Sequence, residues 1–416
     1  MIRRRHVYHI AGYDPVGAGW HRIFKRELAL FSRTWNVNTI LTERSSSSAE
    51  RASWDVVTSG PDWQVQTTYE LLLWDDIVSA DFRRPMLSRL VRGWSAFLDI
   101  VGTGTAFRYL RANWQYALFF LYPYALMAAF ALAACVAAGF LASWLSHSTI
   151  MYVALLVVFA AGIFLALFNW PGRRMGLQQA LDDWIFSRDY VYGCRQDVDR
   201  RLDRFADHVT ARGPDIDADE IVVVGHSMGA TLALEIVARA LALDPQFGRH
   251  GPTVCLLTVG STIPKFLLHP AGERFLSHVK ALANEDSIAW AEYHARSDAI
   301  SFYKFDPVTL SRFGGDPRCG RPLLRKVRMQ DMLTRRSYWR KRLRFMRLHY
   351  QFLMANELRA TYDFFMIVCG PIPFGRAVRA PTGPVEFIAA DGAFLNPDRP
   401  TETMPACANR TAPLSR

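Results

Sequence analysis

The sequence predicts an α/β protein, built on a mostly parallel sheet that is covered by helices and interrupted by a two-helix transmembrane hairpin. Three observations predict it. Short β-rich apolar runs alternate with stretches of helical periodicity, the pattern of strands joined by crossover helices. The apolar run at residues 221–225 passes through Gly225-His226-Ser227-Met228-Gly229 directly into helical spacing at Leu232, Leu234, Ile236, Val237 and Leu241. Between Arg111 and Arg173 there is no Asp, Glu, Lys or Arg.

The elements follow in order. Residues 6–12, HVYHIAG, form a first strand. Tyr13-Asp14-Pro15 is a turn, and GWHRIFKRELALFSRTW has helical spacing. NVNTILTE, WDVVTS and DWQVQTTYELLLWDD read as strands from their alternating or β-branched residues, with residues 45–48 as a loop. Residues 85–113 are an amphipathic approach to the charge-free block. That block holds two spans, near 119–141 and 150–168, because a bilayer crossing needs about 20 apolar residues. Trp114, Tyr116, Tyr122, Tyr124, Trp144, Tyr152 and Trp170 stand at the ends of these spans, where interfacial aromatic belts are expected.

Beyond the hairpin, residues 175–213 read as helical with a break near Gly193, and strands follow at 221–225, 253–261, SIAWAEYHA and LLRKVRMQDML. A long helix is expected around MRLHYQFLMANELRATYDFFMIV, and a loosely held tail after it. The expected division is therefore 1–84 with 175–380 as one discontinuous α/β domain, 85–174 as approach and hairpin, and 381–416 as tail. Asn409-Arg410-Thr411 in that tail reads as a chance sequon.

Composition limits the functional classes. The net charge is +11, and the basic residues gather beside the hairpin (Arg83, Arg84, Arg89, Arg92, Arg108, Arg111, Arg173, Arg174) and in RRSYWRKRLRFMRLHY, residues 335–350. Positive flanks favour the cytoplasmic side, so both soluble parts and both termini are expected there, with a bacterial inner membrane as the location. In the second basic stretch Tyr338, Trp339, Leu343, Phe345 and Met346 are interleaved with Arg and Lys, which suits contact with anionic lipid head groups. No nucleic-acid motif accompanies the charge. Cys135, Cys194, Cys255, Cys319, Cys369 and Cys407 lack metal-ligand or redox spacing, and neither HExxH nor a GxxxxGK phosphate loop is present. No metal and no cofactor are expected.

Chemistry centres on Ser227. Gly225 and Gly229 remove side chains where a strand and a helix pack around a sharp turn, with His226 completing the pentapeptide, and such a turn aims the serine hydroxyl outward. In this the sequence resembles the α/β-hydrolase superfamily, with GHSMG matching its nucleophile elbow. The resemblance covers roughly residues 5–75 and 178–368, excludes the hairpin, and starts at what would be the family's third strand, so the first two are expected to be missing.

The resemblance implies a chain order of Ser, then acid, then His, because a neutral serine hydroxyl needs a general base and the base needs an orienting carboxylate. Of His250, His269, His278, His294 and His349, only His349 lies beyond the last candidate strand, at a helix start similar to that of class-3 lipases. Asp298, in ARSDAI after a strand, matches the lipase acid loop, with Asp306 and Asp286 as alternatives. The backbone N–H of Met228 and one from Gly12 or Tyr13 stand in the oxyanion positions, although HIAGYDP departs from the family's HG-type loop. The implied activity is hydrolysis of a carboxylic ester or thioester, with acyl lipids among the candidate substrates, by a membrane-anchored serine enzyme. The alternatives are acyl transfer by the same triad and a non-catalytic binding module. Partners are the lipid bilayer and the acyl substrate; oligomeric state is open.

Overall fold

The computed structural model describes residues 1–145, 148–212, 216–312 and 322–395. Two compact units are present, one formed by Met1–Val78 with the chain from Gln196 on, the other by Ser79–Arg195.

The first unit is organised by one mixed sheet. Its strands are β1 (Arg4–Ile10), β2 (Asn38–Leu41), β3 (Ser45–Ser48), β4 (Arg51–Ser59), β5 (Gln64–Leu72), β6 (Glu220–His226), β7 (Thr253–Val259) and β8 (Ile288–Ala295). A two-residue ribbon of β9 (Phe305–Asp306) and β10 (Ser311–Arg312) stands apart, and β11 (Leu323–Val327) closes one edge. The order is β11-β8-β7-β6-β1-β5-β4-β2, with β3 also paired to β4. Pairings from β5 through β1 and β6 to β11 are parallel, and those of β4 with β5, β2 and β3 are antiparallel.

Burial follows from that arrangement. Every residue of β6, and all of β1 except Arg4, is buried, as expected for parallel strands with helices on both faces. On one face Val7, Val222, Val224, Cys255 and Leu257 pack with Trp20, Phe24, Leu28 and Phe31 of the helix Gly17–Trp35 and with Phe364, Phe365 and Ile367. The opposite side chains meet the helices Gln196–Arg212 and Met228–Leu243, for example Tyr8 edge-on to His208 at 5.8 Å. Arg5 is buried and held by Glu220 at 3.0 Å and by the Gly370 and Ile372 carbonyls, so its charge is fully partnered.

Several expectations are corrected. Residues 45–48 form a strand rather than a loop, since β4 offers its free edge to them. The sheet is not cut short where the first two strands were expected to be missing: β4 and β2 extend it beyond β5. The long C-terminal helix is absent. In its place are the short helix Phe345–His349, a 3-10 turn Tyr350–Leu353, irregular chain, and the helix Phe364–Cys369 capped by Asp363. Part of the expected tail is packed, with Ile388 and Phe394 buried and bridged to each other. The sequon, Cys319 and Cys407 lie outside the described residues.

The second unit is helical. The helices Trp114–Leu145 and Thr149–Asn169 pack on each other and are long and apolar enough to cross a membrane. The second buries only Phe168. The early part of the first turns Tyr116, Phe120, Tyr124 and Met127 inward, with Phe120 edge-on to Trp184 at 4.9 Å. The expected first span near 119–141 thus begins inside this unit's own aromatic core. The helix Leu177–Val191, grouped from sequence with the sheet, belongs to the same unit, and Gly193 breaks the chain after it with φ 73°.

Candidate active site

Topology places the site. From β1 the chain crosses to the β5 side, whereas β6 leads on to β7, so the loops after β1 and β6 diverge at the carboxyl ends of two adjacent strands. Open α/β sheets leave a crevice at such a switch point. The β1 loop carries Gly12 and the β6 loop carries Ser227.

Ser227 sits between the last residue of β6 and the first of the helix Met228–Leu243, with φ 57° and ψ −124°. For a residue with a side chain this backbone costs on the order of 1–3 kcal/mol and persists only where its surroundings enforce it. Enforcement comes from Ser227 N–H donating to the Val259 carbonyl at 3.1 Å and from the Ser227 carbonyl accepting from Ala230 at 3.1 Å and Thr262 at 3.3 Å. The flanking glycines make the turn sterically possible. A Cβ on Gly225 would lie 2.3 Å from the Gly229 carbonyl oxygen, and one on Gly229 2.3 Å from that of Ile10. Ser227 itself is half-buried while its neighbours are buried, so the turn presents the hydroxyl toward the crevice.

The oxyanion candidates separate. Gly12 lies against the elbow: a Cβ built on it would be 3.3 Å from Ser227 Cβ and 3.8 Å from the Met228 nitrogen. Tyr13 points its ring at Trp74, 5.9 Å between centroids, and Trp74 in turn donates to the Ala11 carbonyl at 3.1 Å. Gly12 thus packs directly against Ser227, and the Tyr13 ring packs on Trp74.

Asp298 and His349 come together from residues fifty-one positions apart, with His349 Nδ1 2.8 Å from Asp298 Oδ2. The second carboxylate oxygen accepts from the Ile300 N–H at 3.1 Å. Both residues are buried. This bond orients the imidazole: with Nδ1–H donating to the carboxylate, the proton-free nitrogen of a neutral ring is Nε2. His349 Nε2 is buried and has no hydrogen-bond partner among the described residues. His349 ends a short helix rather than opening a long one. The alternatives to Asp298 are engaged elsewhere: Asp306 Oδ1 accepts from Val308 and Thr309 in its own turn, and Asp286 lies in the turn before β8.

The elbow and the histidine loop are joined through His226. Its ring is 4.4 Å from that of His349, and its Nε2 is 3.1 Å from the His349 carbonyl oxygen. Burial, followed by the neighbouring His349, holds the His226 pKa well below the usual range, so the ring is neutral and Nε2–H is the donor. A Cβ on Gly260, at the end of β7, would come 3.1 Å from His349 Cε1, which places the imidazole over the ends of β6 and β7.

Two features were not found by sequence reasoning. Tyr350 donates to Asp14 Oδ2 at 2.7 Å, linking the histidine loop to the β1 loop; both side chains stood in quoted motifs, but nothing in either motif marked the pairing. On β8, Glu292 is fully buried, with its pKa pushed up to about 8 by burial. It accepts from the Thr258 hydroxyl at 3.2 Å, and its other oxygen is 3.3 Å from His294 Nε2. Its only sequence signal is a carboxylate on an otherwise apolar strand. Among the described residues no group of three or more His, Cys, Asp or Glu side chains is arranged to hold a metal ion.

A family model described as alpha/beta hydrolase family matches residues 136–398. The match contains Ser227, Asp298 and His349; it begins within the first apolar helix and leaves out β1 to β5, although β1 is the central strand. No curated protein and no solved structure matches the chain.

Proposed function

The chain belongs to the alpha/beta hydrolase family, and from that premise we propose that it is a membrane-anchored serine hydrolase that cleaves a carboxylic ester or thioester through an acyl-enzyme on Ser227. One observation carries the proposal. The Asp298–His349 pair leaves a buried lone pair on Nε2 with no other use, joined through His226 to a strained, half-buried serine.

In this reading Ser227 Oγ attacks the carbonyl carbon while His349 Nε2 takes its proton, and Asp298 stabilises the imidazolium that forms. The oxyanion is met by the Met228 N–H and a backbone N–H of the Gly12 loop. Collapse breaks the bond to the alkoxide or thiolate, which leaves with the proton from Nε2. Water, deprotonated by the same nitrogen, then releases the acid and restores Ser227.

Membrane anchoring rests on the helices Trp114–Leu145 and Thr149–Asn169 and on their arginine flanks, which favour a cytoplasmic catalytic unit. The likeness of the ARSDAI segment to the lipase acid loop, together with a place at the bilayer, makes an acyl lipid the favoured substrate. The exposed Trp339, Leu343, Phe345 and Met346, set among Arg335, Arg336, Arg340, Arg342 and Arg344, fit an anionic lipid surface.

Fluorophosphonate labelling of the full chain tests the chemistry. Wild type is expected to label and Ser227→Ala not to; equal labelling of both ends the nucleophile assignment. An unlabelled wild type favours a non-catalytic binding module, and transfer of the acyl group to a lipid alcohol rather than water identifies an acyltransferase. A periplasmic reporter active when fused at Arg379 contradicts the cytoplasmic placement.

A further inference from the structure

The helix Met86–Gly102 exposes Leu87, Val91, Trp94, Leu98 and Val101, each between 45 and 75% accessible. Their spacing of four, three, four and three residues puts them on one stripe. The opposite face, Arg89, Gly93, Ala96 and Ile100, is buried.

The helix's charges are all paired with the helix Leu177–Val191 or with Tyr192 at its end. Arg89 Nε forks onto Asp182 at 2.9 and 3.0 Å, Arg92 pairs with Asp189, and Asp99 accepts from Tyr192 at 2.8 Å. These pairs fix the rotation of the helix, so the apolar face is held outward rather than left there by chance. Monomeric soluble proteins rarely leave such a contiguous apolar face uncovered.

Its neighbour shows what covers it. Phe97 packs on Phe120 and Tyr124 at 5.8 and 4.5 Å, Trp94 on Tyr124 at 5.7 Å, and the Tyr124 hydroxyl donates to the Gly93 carbonyl at 3.1 Å. The stripe is thus fastened beside the first hairpin helix, whose Leu118, Leu121 and Leu132 are also exposed. Phe107, Leu110 and Trp114 carry the apolar surface on through the helix Thr105–Ala112, with Arg108 and Arg111 beside them and no exposed carboxylate between Met86 and Trp114.

We propose that the helix Met86–Gly102 is a third membrane-contacting element: it lies in the bilayer interface, with Leu87, Val91, Trp94, Leu98 and Val101 among the acyl chains and the flanking arginines at anionic head groups. Amphipathic helices of this kind sit about 5–10 Å below the head-group boundary. The proposal rests on the hairpin reading, because the stripe continues the hairpin's outward apolar surface.

The test uses the full chain in nanodiscs of zwitterionic and anionic phospholipid, with Cys135, Cys194, Cys319 and Cys407 replaced by serine. A fluorophore is attached at Leu98→Cys, at Val91→Cys, at Val157→Cys in the second hairpin helix, or at Lys280→Cys on an exposed helix of the sheet unit. Nitroxides are carried on the lipid at shallow or deep acyl positions. Quenching at positions 91 and 98 is expected to be strongest from the shallow nitroxide and at least threefold above that at 280, with 157 quenched most by the deep one. Quenching at 98 no greater than at 280, with 157 still quenched, overturns the proposal and leaves the hairpin; disulfide cross-linking at 98 between copies would then assign the stripe to a dimer. Loss of quenching at both 98 and 157 removes the hairpin reading as well.

Discussion

Tyr350 donates its hydroxyl to Asp14 across 2.7 Å, and through this bond the residue after His349 is tied to the loop that carries Gly12. The Tyr350 ring also lies 5.2 Å from that of His226, so one side chain touches the histidine loop, the elbow and the β1 loop. Burial raises the Asp14 pKa against the lowering effect of this hydrogen bond, and the Tyr350 pKa is raised well above its usual value, so the hydroxyl stays the donor through neutral pH.

Tyr350→Phe should therefore loosen the distance between base and oxyanion donors without altering either group. The expected outcome is a fall in kcat of roughly tenfold with KM nearly unchanged, the pattern of an interaction that matters only in the transition state. Steady-state kinetics on a soluble ester checks it, with Asp14→Ala, which removes the acceptor, expected to give the same split. A change confined to KM would show that the bond shapes substrate binding instead.

Asp298→Asn keeps the shape of the acid but removes its charge and allows the wrong imidazole tautomer. Activity is expected to drop by about 10⁴-fold, the magnitude seen when a triad carboxylate is replaced this way. Asp306→Asn, whose amide oxygen can still accept from the Val308 N–H, is expected to change activity less than threefold. Comparing the two rates decides between the carboxylates that the sequence left open.

Much of this site was legible because local chemistry dictates it. A strand ending in Gly-x-Ser-x-Gly before a helix has little choice of geometry, and both glycines prove to be pressed against backbone oxygens. The position of Asp298 after an apolar strand marked the carboxylate that pairs with His349. Long-range placement was not. Residues 350–363 have helical composition, yet Gln351 and Phe352 are buried in a 3-10 turn, and Tyr362 donates to the Phe352 carbonyl at 2.6 Å, so tertiary contacts override propensity there. Residues 45–48 carry no strand signal because a polar edge strand takes its order from the neighbouring β4. The Tyr350–Asp14 bond spans most of the chain, and no short-range pattern encodes it.

Gly229→Ala should be harmful far beyond its one added carbon. The new Cβ would stand 2.3 Å from the Ile10 carbonyl oxygen and 2.6 Å from that of Ala11, which are backbone atoms of the central strand and its loop. Relief requires the helix to move off β1, and overpacking of this kind costs typically ~1–3 kcal/mol. A lower Tm and loss of fluorophosphonate labelling are expected together. Retained labelling at wild-type Tm would mean that the elbow tolerates a side chain.

Glu292 predicts how stability depends on pH. Its pKa is about 8 in the fold against 4.5 without burial, so the folded state keeps a proton that the unfolded chain releases above pH 4.5. Stability from this group is fully present below pH 4.5 and lost as pH rises through 8, at up to ~1.4 kcal/mol per unit. The buried histidines act oppositely: His9, lowered to about 3, and His294, lowered to about 4, contribute stability above pH 6.5 that is lost as pH falls. Between pH 6.5 and 8 those two still gain about 0.4 kcal/mol each, less than the loss at Glu292, and His278, raised by its hydrogen bond to Glu235, adds a loss in the same direction as Glu292. Glu292→Gln keeps the shape and an acceptor for Thr258 while removing the titration. Thermal unfolding in detergent at pH 6.5, 7.2 and 8 should show wild-type Tm falling with pH and the variant falling less, so that the gap between them widens toward pH 8. A constant gap across this range would show that Glu292 is ionised in the folded protein at neutral pH.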